Sequence, residues 1–202
     1  MSEETFAVVL VEPQLGENIG MCARAMWNCG ISDLRLVSPR DGWPSESAVK
    51  SASGADPVIG AARVYESTRD AVADLNFVLA TTARPRDMTK QVFTPEAAAR
   101  DLRERTDAGQ KTGVLFGKEA MGLANDDVAL ADAVLTVPLN PAFTSLNLAQ
   151  AVLLMGYEWF KQADETPGRE LRMPGDTRPA TRDEMQHLFE HLEEELDSRG
   201  FL

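Results

Sequence analysis

Residues 7–37 read AVVLVEPQLGENIGMCARAMWNCGISDLRLV, and their pattern decides the class of fold. Ala7 to Val11 is an unbroken β-branched and aliphatic run, as a strand buried on both faces requires. Ile19 to Cys29 then follows helical spacing, and Gly30 stands where glycine commonly stops a helix. Leu34 to Val37 returns to a short apolar run. Strand, helix and strand joined by short turns form the repeating unit of a parallel sheet.

The alternation continues along the chain. Phe77 to Thr81, Gly113 to Phe116 and Val134 to Val137 read as further buried strands, and Arg63 to Tyr65 as a weaker one. Ser45 to Ser53, Thr68 to Ala73 and Thr94 to Arg105 fit helices between them. The expected fold is α/β, a mostly parallel sheet with helices on both faces. Ser145 to Gln162 is the longest helical segment, and its apolar residues, from Leu146 and Leu148 to Trp159 and Phe160, go nearly all the way round. Such a helix needs cover on several sides, which a homodimer supplies most simply. Residues 163–180 read as a linker rich in Pro, Gly and charge. Thr181-Arg-Asp-Glu184 then makes a capping box, and Met185, Leu188, Phe189, Leu192 and Leu196 follow helical spacing to Arg199. This amphipathic extension, 181–202, has no evident partner, so more chain is expected beyond it.

The 202 residues carry 44% apolar and 26% charged side chains, enough to build a sizeable core and unlike a disordered chain. No apolar run approaches the roughly 20 residues of a membrane-spanning helix, and the acidic start Met1-Ser2-Glu3-Glu4 is unlike a secretory signal. A cytoplasmic protein is expected. Cys22 and Cys29 fall on one helix about 10 Å apart, too far to pair, and read as small buried apolar residues. With only two histidines, His187 and His191, no familiar metal spacing can be assembled, and no metal is expected. Thirty-two acidic against 20 basic residues give a net charge of -12, of which residues 163–202 hold -6. Basic clusters, Arg84-Pro85-Arg86 with Lys90 and Arg100 with Arg103 and Arg105, could meet phosphates, although solvated faces are the default reading.

Three strand-to-helix junctions carry the candidate chemistry. In Glu17-Asn18-Ile19-Gly20-Met21-Cys22-Ala23-Arg24, Asn18 suits a helix cap and Gly20 admits a backbone or a phosphate. Arg24, on an otherwise apolar helix near the end of the first strand, either snorkels or meets a ligand. In Val114 to Leu123, Gly117 and Gly122 let a ligand reach the main chain or simply form a tight turn. Glu119 is either solvated beside Lys118 or a brace for a helix or arginine. In Val137 to Leu148, Thr144 or Ser145 suits the cap of the long helix, and Asn147 in its first turn needs a hydrogen-bonding partner. By these residues alone, the chain is an α/β ligand-binding domain.

Together, Asn18-x-Gly20-x-x-x-Arg24, Phe116-Gly117-x-Glu119-x-x-Gly122-Leu123 and Pro138-Leu139-Asn140-Pro141 through Ser145-Leu146-Asn147-Leu148 resemble the motifs of the SPOUT superfamily of RNA methyltransferases, in its SpoU or TrmH branch. Leu10-Val11-Glu12, Ala80-Thr-Thr-Ala-Arg84 and the appended helix with Glu190-His-Leu-Glu193 resemble the TrmJ group, which makes 2′-O-methylribose in tRNA. The resemblance implies a SPOUT domain over residues 1–162 with a C-terminal deep trefoil knot, a topology that general rules disfavour. It implies S-adenosylmethionine held by Thr81, Thr82, Ala83, Gly117, Val137, Thr144, Ser145 and Leu146. It implies a homodimer acting on RNA, with tRNA position 32 of the anticodon loop as the expected target and ribosomal RNA as the alternative. The catalytic set carried over is Arg24, Asn18, Ser145, Asn147 and Glu119, with Arg24 reaching the ribose from the partner subunit. A catalytically silent RNA-binding dimer, and a nucleotide-binding α/β enzyme unrelated to methylation, are the rival readings.

Overall fold

The computed structural model describes residues 5–82, 89–166, 168, 175 and 177–201. In chain order the elements are β1 (Ala7–Val11), α1 (Gly16–Asn28), β2 (Leu34–Val37), α2 (Glu46–Ala52), α3 (Asp56–Ala61), β3 (Arg63–Tyr65), α4 (Thr68–Val72), β4 (Phe77–Thr81), β5 (Val92–Phe93), α5 (Pro95–Asp107), β6 (Thr112–Phe116), α6 (Asn125–Ala129), β7 (Ala133–Leu135), α7 (Leu148–Lys161) and α8 (Arg182–Ser198). The strands form one sheet in the order β3-β2-β1-β6-β4-β7-β5. Every pairing is parallel.

Strand alternation sorts the core into two layers. Val8 and Leu10 of β1 face a cluster that includes Ile19, Met26, Leu102, Val152, Met155 and Trp159, from α1, α5 and α7. Ala7, Val9 and Val11 face the other side, with Ala71 of α4 and Val128 of α6. Helices therefore cover both faces, as the doubly apolar strands require. Trp159 anchors α7: it meets Phe6 edge to face at 5.3 Å, and the Arg103 guanidinium lies 3.7 Å over its ring.

Arg35 is the one charged residue among the described core, buried in the middle of the apolar β2 run. Its guanidinium donates to Asp33 at 2.9 Å, to the carbonyl of Ala71 at 2.7 Å and to Asp74. Two carboxylates and a carbonyl thus satisfy a charge that burial alone would not tolerate. The network ties β2 to α4 at the N-terminal edge of the sheet, away from the motif loops.

Several boundaries differ from the sequence expectation. The helix α1 begins at Gly16, so Asn18 lies inside its first turn and is not the cap. The helix α7 begins at Leu148, so neither Thr144 nor Ser145 caps it; Asn147 does, accepting from the Ala149 N–H while Gln150 accepts from the Asn147 N–H. The segment before it is irregular because Pro138 and Pro141 interrupt any regular ladder. Short elements α3, α6 and β5 were not expected at all.

The chain divides into two compact units, Met1–Glu165 and Thr166–Leu202. In the second, α8 opens with the capping box of Thr181 and Glu184. Arg178 pairs with Glu184 at 2.5 Å, and this hydrogen bond, followed by that from Thr181, holds the Glu184 carboxyl down at about 2. Its apolar stripe, Met185, Leu188, Phe189, Leu192 and Leu196, is exposed.

Candidate functional site

A cavity of about 310 Å³ opens at the C-terminal ends of β4, β6 and β7. This is the edge of a parallel sheet at which open α/β folds bind ligands. Thr81 and Thr82 line it from the end of β4, Phe116 to Leu123 from the turn after β6, Leu135, Val137 and Leu139 from the exit of β7, and Thr144, Ser145 and Leu146 from the approach to α7. Seven of the eight residues nominated for the cofactor therefore share one cavity; the eighth, Ala83, lies outside the described residues, as does Arg84-Pro85-Arg86.

The walls are fixed by local hydrogen bonds. The Thr82 N–H donates to the Leu135 carbonyl at 3.0 Å, and the Thr136 hydroxyl returns to the Thr82 carbonyl at 3.1 Å. The Thr81 hydroxyl donates to the Leu115 carbonyl at 2.9 Å. The turn after β6 closes tightly, with Gly122 N–H on the Lys118 carbonyl at 2.8 Å. A Cβ on Gly117 would stand 2.2 Å from the backbone of Gly122 and Leu123, so only glycine permits this close approach.

Glu119 joins the three motifs. One carboxylate oxygen accepts from the Gln14 N–H at 2.8 Å, and the other from the Asn18 side-chain amide at 2.5 Å. The Asn18 Oδ1 in turn accepts from the Asn147 amide at 3.2 Å. The loop after β1, the first turn of α1, the turn after β6 and the cap of α7 are thereby locked together beside the cavity. Of the two readings of Glu119, the brace is the one observed, and Lys118 pairs instead with Glu12 at 2.6 Å. Gln14 was not singled out in the sequence, because its backbone N–H makes the contact and no side-chain pattern betrays it.

Gly20 also proves structural: its position packs α1 onto α2, where an added Cβ would lie 2.2 Å from the Ala48 carbonyl oxygen. Cys22 and Cys29 are buried free thiols, and burial, followed by the Glu119 charge, pushes the Cys22 thiol up. Neither is poised for thiolate chemistry.

Arg24 does not line the cavity; it is exposed on α1 and, among the described residues, has no hydrogen-bond or ion-pair partner. The other nominated cations among the described residues are engaged. Arg100 pairs with Glu96 at 3.4 Å and Arg105 with Asp101 at 2.6 Å, Arg103 stacks on Trp159, and Lys90 reaches the carbonyls of Ala129 and Ala131 at the end of α6. The basic cluster on α5 is therefore committed to packing and helix pairs. Among the described residues no group of three His, Cys, Asp or Glu could hold a metal ion, and no helix is long and apolar enough to cross a membrane.

The cavity has an apolar wall, from Phe116, Leu135, Val137, Leu139 and Leu146, and a rim of hydroxyls and strand-end backbone. Its volume lies near the lower bound of the roughly 300–1,000 Å³ usual for small-molecule sites. Such a wall and rim fit an adenosine-bearing sulfonium compound, one face apolar and the edges hydrogen-bonding.

Residues 5–157 match the family model described as the SpoU rRNA Methylase family. The chain belongs to this family. It is 35% identical to the tRNA (cytidine/uridine/adenosine-2′-O-)-methyltransferase TrmJ of Pseudomonas aeruginosa, covering 96% of this chain and 78% of that protein. It is similar to the crystal structure of TrmJ from Z. mobilis ZM4, with a TM-score of 0.80 and 50% identity over 98% of this chain and 82% of the other. A further structure, reported under "Structural insights into the 2-OH methylation of C/U34 on tRNA", aligns with a TM-score of 0.62 and 25% identity, covering 79% of this chain and 97% of the other. At 21% identity and a TM-score of 0.61, AviRb of Streptomyces viridochromogenes, a SpoU methyltransferase solved with AdoMet, shares the fold over 80% of this chain and 59% of its own.

Proposed function

We propose that this SpoU-family chain transfers a methyl group from S-adenosylmethionine to a ribose 2′-hydroxyl of tRNA, at the cytidine or uridine in position 32 of the anticodon loop. The observation that carries this reading is the convergence of Thr81, Thr82, Gly117, Val137, Thr144, Ser145 and Leu146 on one cavity at the strand ends. Similarity to TrmJ proteins over nearly the whole chain supports tRNA as the substrate. The family model's description supports ribosomal RNA as the second substrate to test, and the C/U34 structure supports position 34 as the second position.

When bound, the cofactor supplies an electrophilic methyl group on sulfur. The chain's own residues must hold the ribose oxygen in line with it and let the hydroxyl proton leave. The apolar wall keeps water from the reacting centre, and Ser145 and Thr144 stand at its rim. A guanidinium presents N–H donors and no acceptor atom, so Arg24 is not the proton acceptor. It orients a nucleotide phosphate and stabilises the charge that develops on the ribose oxygen. Asn18, Glu119 and Asn147 are positioning residues that hold the cavity loops.

Because Arg24 is outside the cavity of its own chain, it serves the cavity of a second copy. A homodimer is supported by the exposed apolar side chains Leu153, Leu154, Tyr157 and Phe160 of α7 and Trp27 of the adjoining α1. The segment from Val137 to Asn147 is proposed to be the threaded part of a trefoil knot, a reading supported by the SpoU family membership. Acting on tRNA, the enzyme works in the cytoplasm.

Incubation with tritiated S-adenosylmethionine and tRNA or ribosomal RNA lacking native modifications, followed by nuclease mapping, tests the reading. Label in the ribose of nucleotide 32 is expected. Cofactor binding without transfer to either RNA would favour the silent dimer, and failure to bind the cofactor would sink the proposal outright.

A further inference from the structure

We propose that Phe143 is a stacking platform for a base of the RNA substrate at the mouth of the cavity, an assignment that rests on the RNA-methylation reading above. Among the described residues of the first unit, Phe143 is the most exposed aromatic, at 72%. The other exposed aromatics there, Trp27, Tyr157 and Phe160, sit on helices among further exposed apolar side chains, whereas Phe143 stands on a loop.

The loop holds that position by its own chemistry. The Asn140 side-chain oxygen accepts from the Ala142 N–H at 3.0 Å, and the Asn140 carbonyl accepts from the Phe143 N–H at 2.8 Å. Pro141 presets the backbone between them, so Asn140 to Phe143 forms a closed turn. A ring held in water on a closed turn has no burial to offset its hydration within this chain. Phe143 does not itself line the cavity but directly precedes three residues that do, Thr144, Ser145 and Leu146, which puts its backbone at the cavity's edge. Met121, 65% exposed, lines that cavity from the turn after β6 and adds an accessible apolar side chain there.

RNA loops are recognised largely through unstacked bases laid on aromatic side chains. A phenyl ring reads a base's face and no pattern of donors and acceptors, so it admits cytosine and uracil alike. The net charge of -12 makes such a contact more important, since phosphate attraction contributes less to RNA affinity than in a basic protein.

The test compares wild type, Phe143→Ala and Phe143→Trp in steady-state methyl transfer to tRNA, with cofactor titration and light scattering on each. Phe143→Ala is expected to raise KM for tRNA about tenfold, the scale of losing one stacked base. Phe143→Trp should restore it, while cofactor affinity and oligomeric state stay unchanged in both. In parallel, 2-aminopurine beside the target nucleotide should be quenched by wild type and not by Phe143→Ala. An unaltered KM in an active enzyme overturns the platform alone. A KM change that follows a changed oligomeric state overturns it too, assigning the ring to a subunit contact. A wild-type protein that binds cofactor yet methylates no RNA removes the underlying reading, and the platform with it.

Discussion

Glu119 receives its two hydrogen bonds from residues 105 and 101 positions upstream, so a single carboxylate closes the site that three distant motifs compose. Replacing it with alanine leaves the buried Asn18 amide without its acceptor, at a cost of about 1–3 kcal/mol. Glu119→Ala is therefore expected to lower Tm by several degrees and to weaken cofactor binding, read by differential scanning calorimetry and isothermal titration. Glu119→Gln, which keeps one acceptor, should lose less of both. Were Glu119 instead the proton acceptor, Glu119→Gln would cut kcat severely while leaving Tm and cofactor affinity near wild type. The motif residues themselves were legible through the joint spacing of three strand-to-helix junctions, since each asparagine or glycine alone is equally explained by a cap or a turn. Their partners were not legible. Asn18 suited a cap by residue type, but Glu119 lies close enough to claim its side chain, and only the fold brings that carboxylate there.

Helix α1 lies against α2 at Gly20, where a Cβ would meet the backbone of Ala48 and Ala52 and the Cβ of Ser51, none of which can swing aside. Gly20→Ala brings a methyl to 2.2 Å from the Ala48 carbonyl oxygen and 2.9 Å from the Ala52 nitrogen, so one helix must shift. Overpacking of this kind costs about 1–3 kcal/mol, against the roughly 1 kcal/mol that alanine gains over glycine within a helix. Thermal melts should show Gly20→Ala falling by a few degrees. Gly60→Ala in α3, which meets nothing within 4 Å, should hold or rise, and equal behaviour of the two would refute the packing account. At this scale the sequence located strands well, because runs such as Val8 to Val11 tolerate no other placement. Helix ends were displaced where tertiary bonds outbid local preference: α7 waits for Asn147, whose reciprocal bonds with Gln150 and Ala149 outweigh the caps available at Thr144 and Ser145.

The parallel alternation was visible from composition and spacing, but the sheet order was not, since inserting β6 between β1 and β4 depends on contacts more than thirty residues apart. The same limit applies to assembly. An all-round apolar α7 announced a missing cover, and the exposed Leu153, Leu154, Tyr157 and Phe160 keep that requirement in the folded chain. If the cover is a second copy, and its Arg24 completes the cavity, activity must be recoverable from two defective chains. Arg24→Ala keeps a sound cavity; Leu139→Trp fills the cavity and keeps Arg24. Each alone should be nearly inactive. Subunit exchange between equal amounts gives heterodimers as half of the population, each with one of its two sites composed of a sound cavity and a sound arginine. Methyl transfer should then return to about a quarter of the wild-type rate, the statistical value for a symmetric dimer with shared sites. If Arg24 serves its own chain's cavity, no mixed dimer contains a complete site and mixing restores nothing. Size measurements before and after exchange ensure that a negative result reports on the location of the arginine and not on a failure to form dimers.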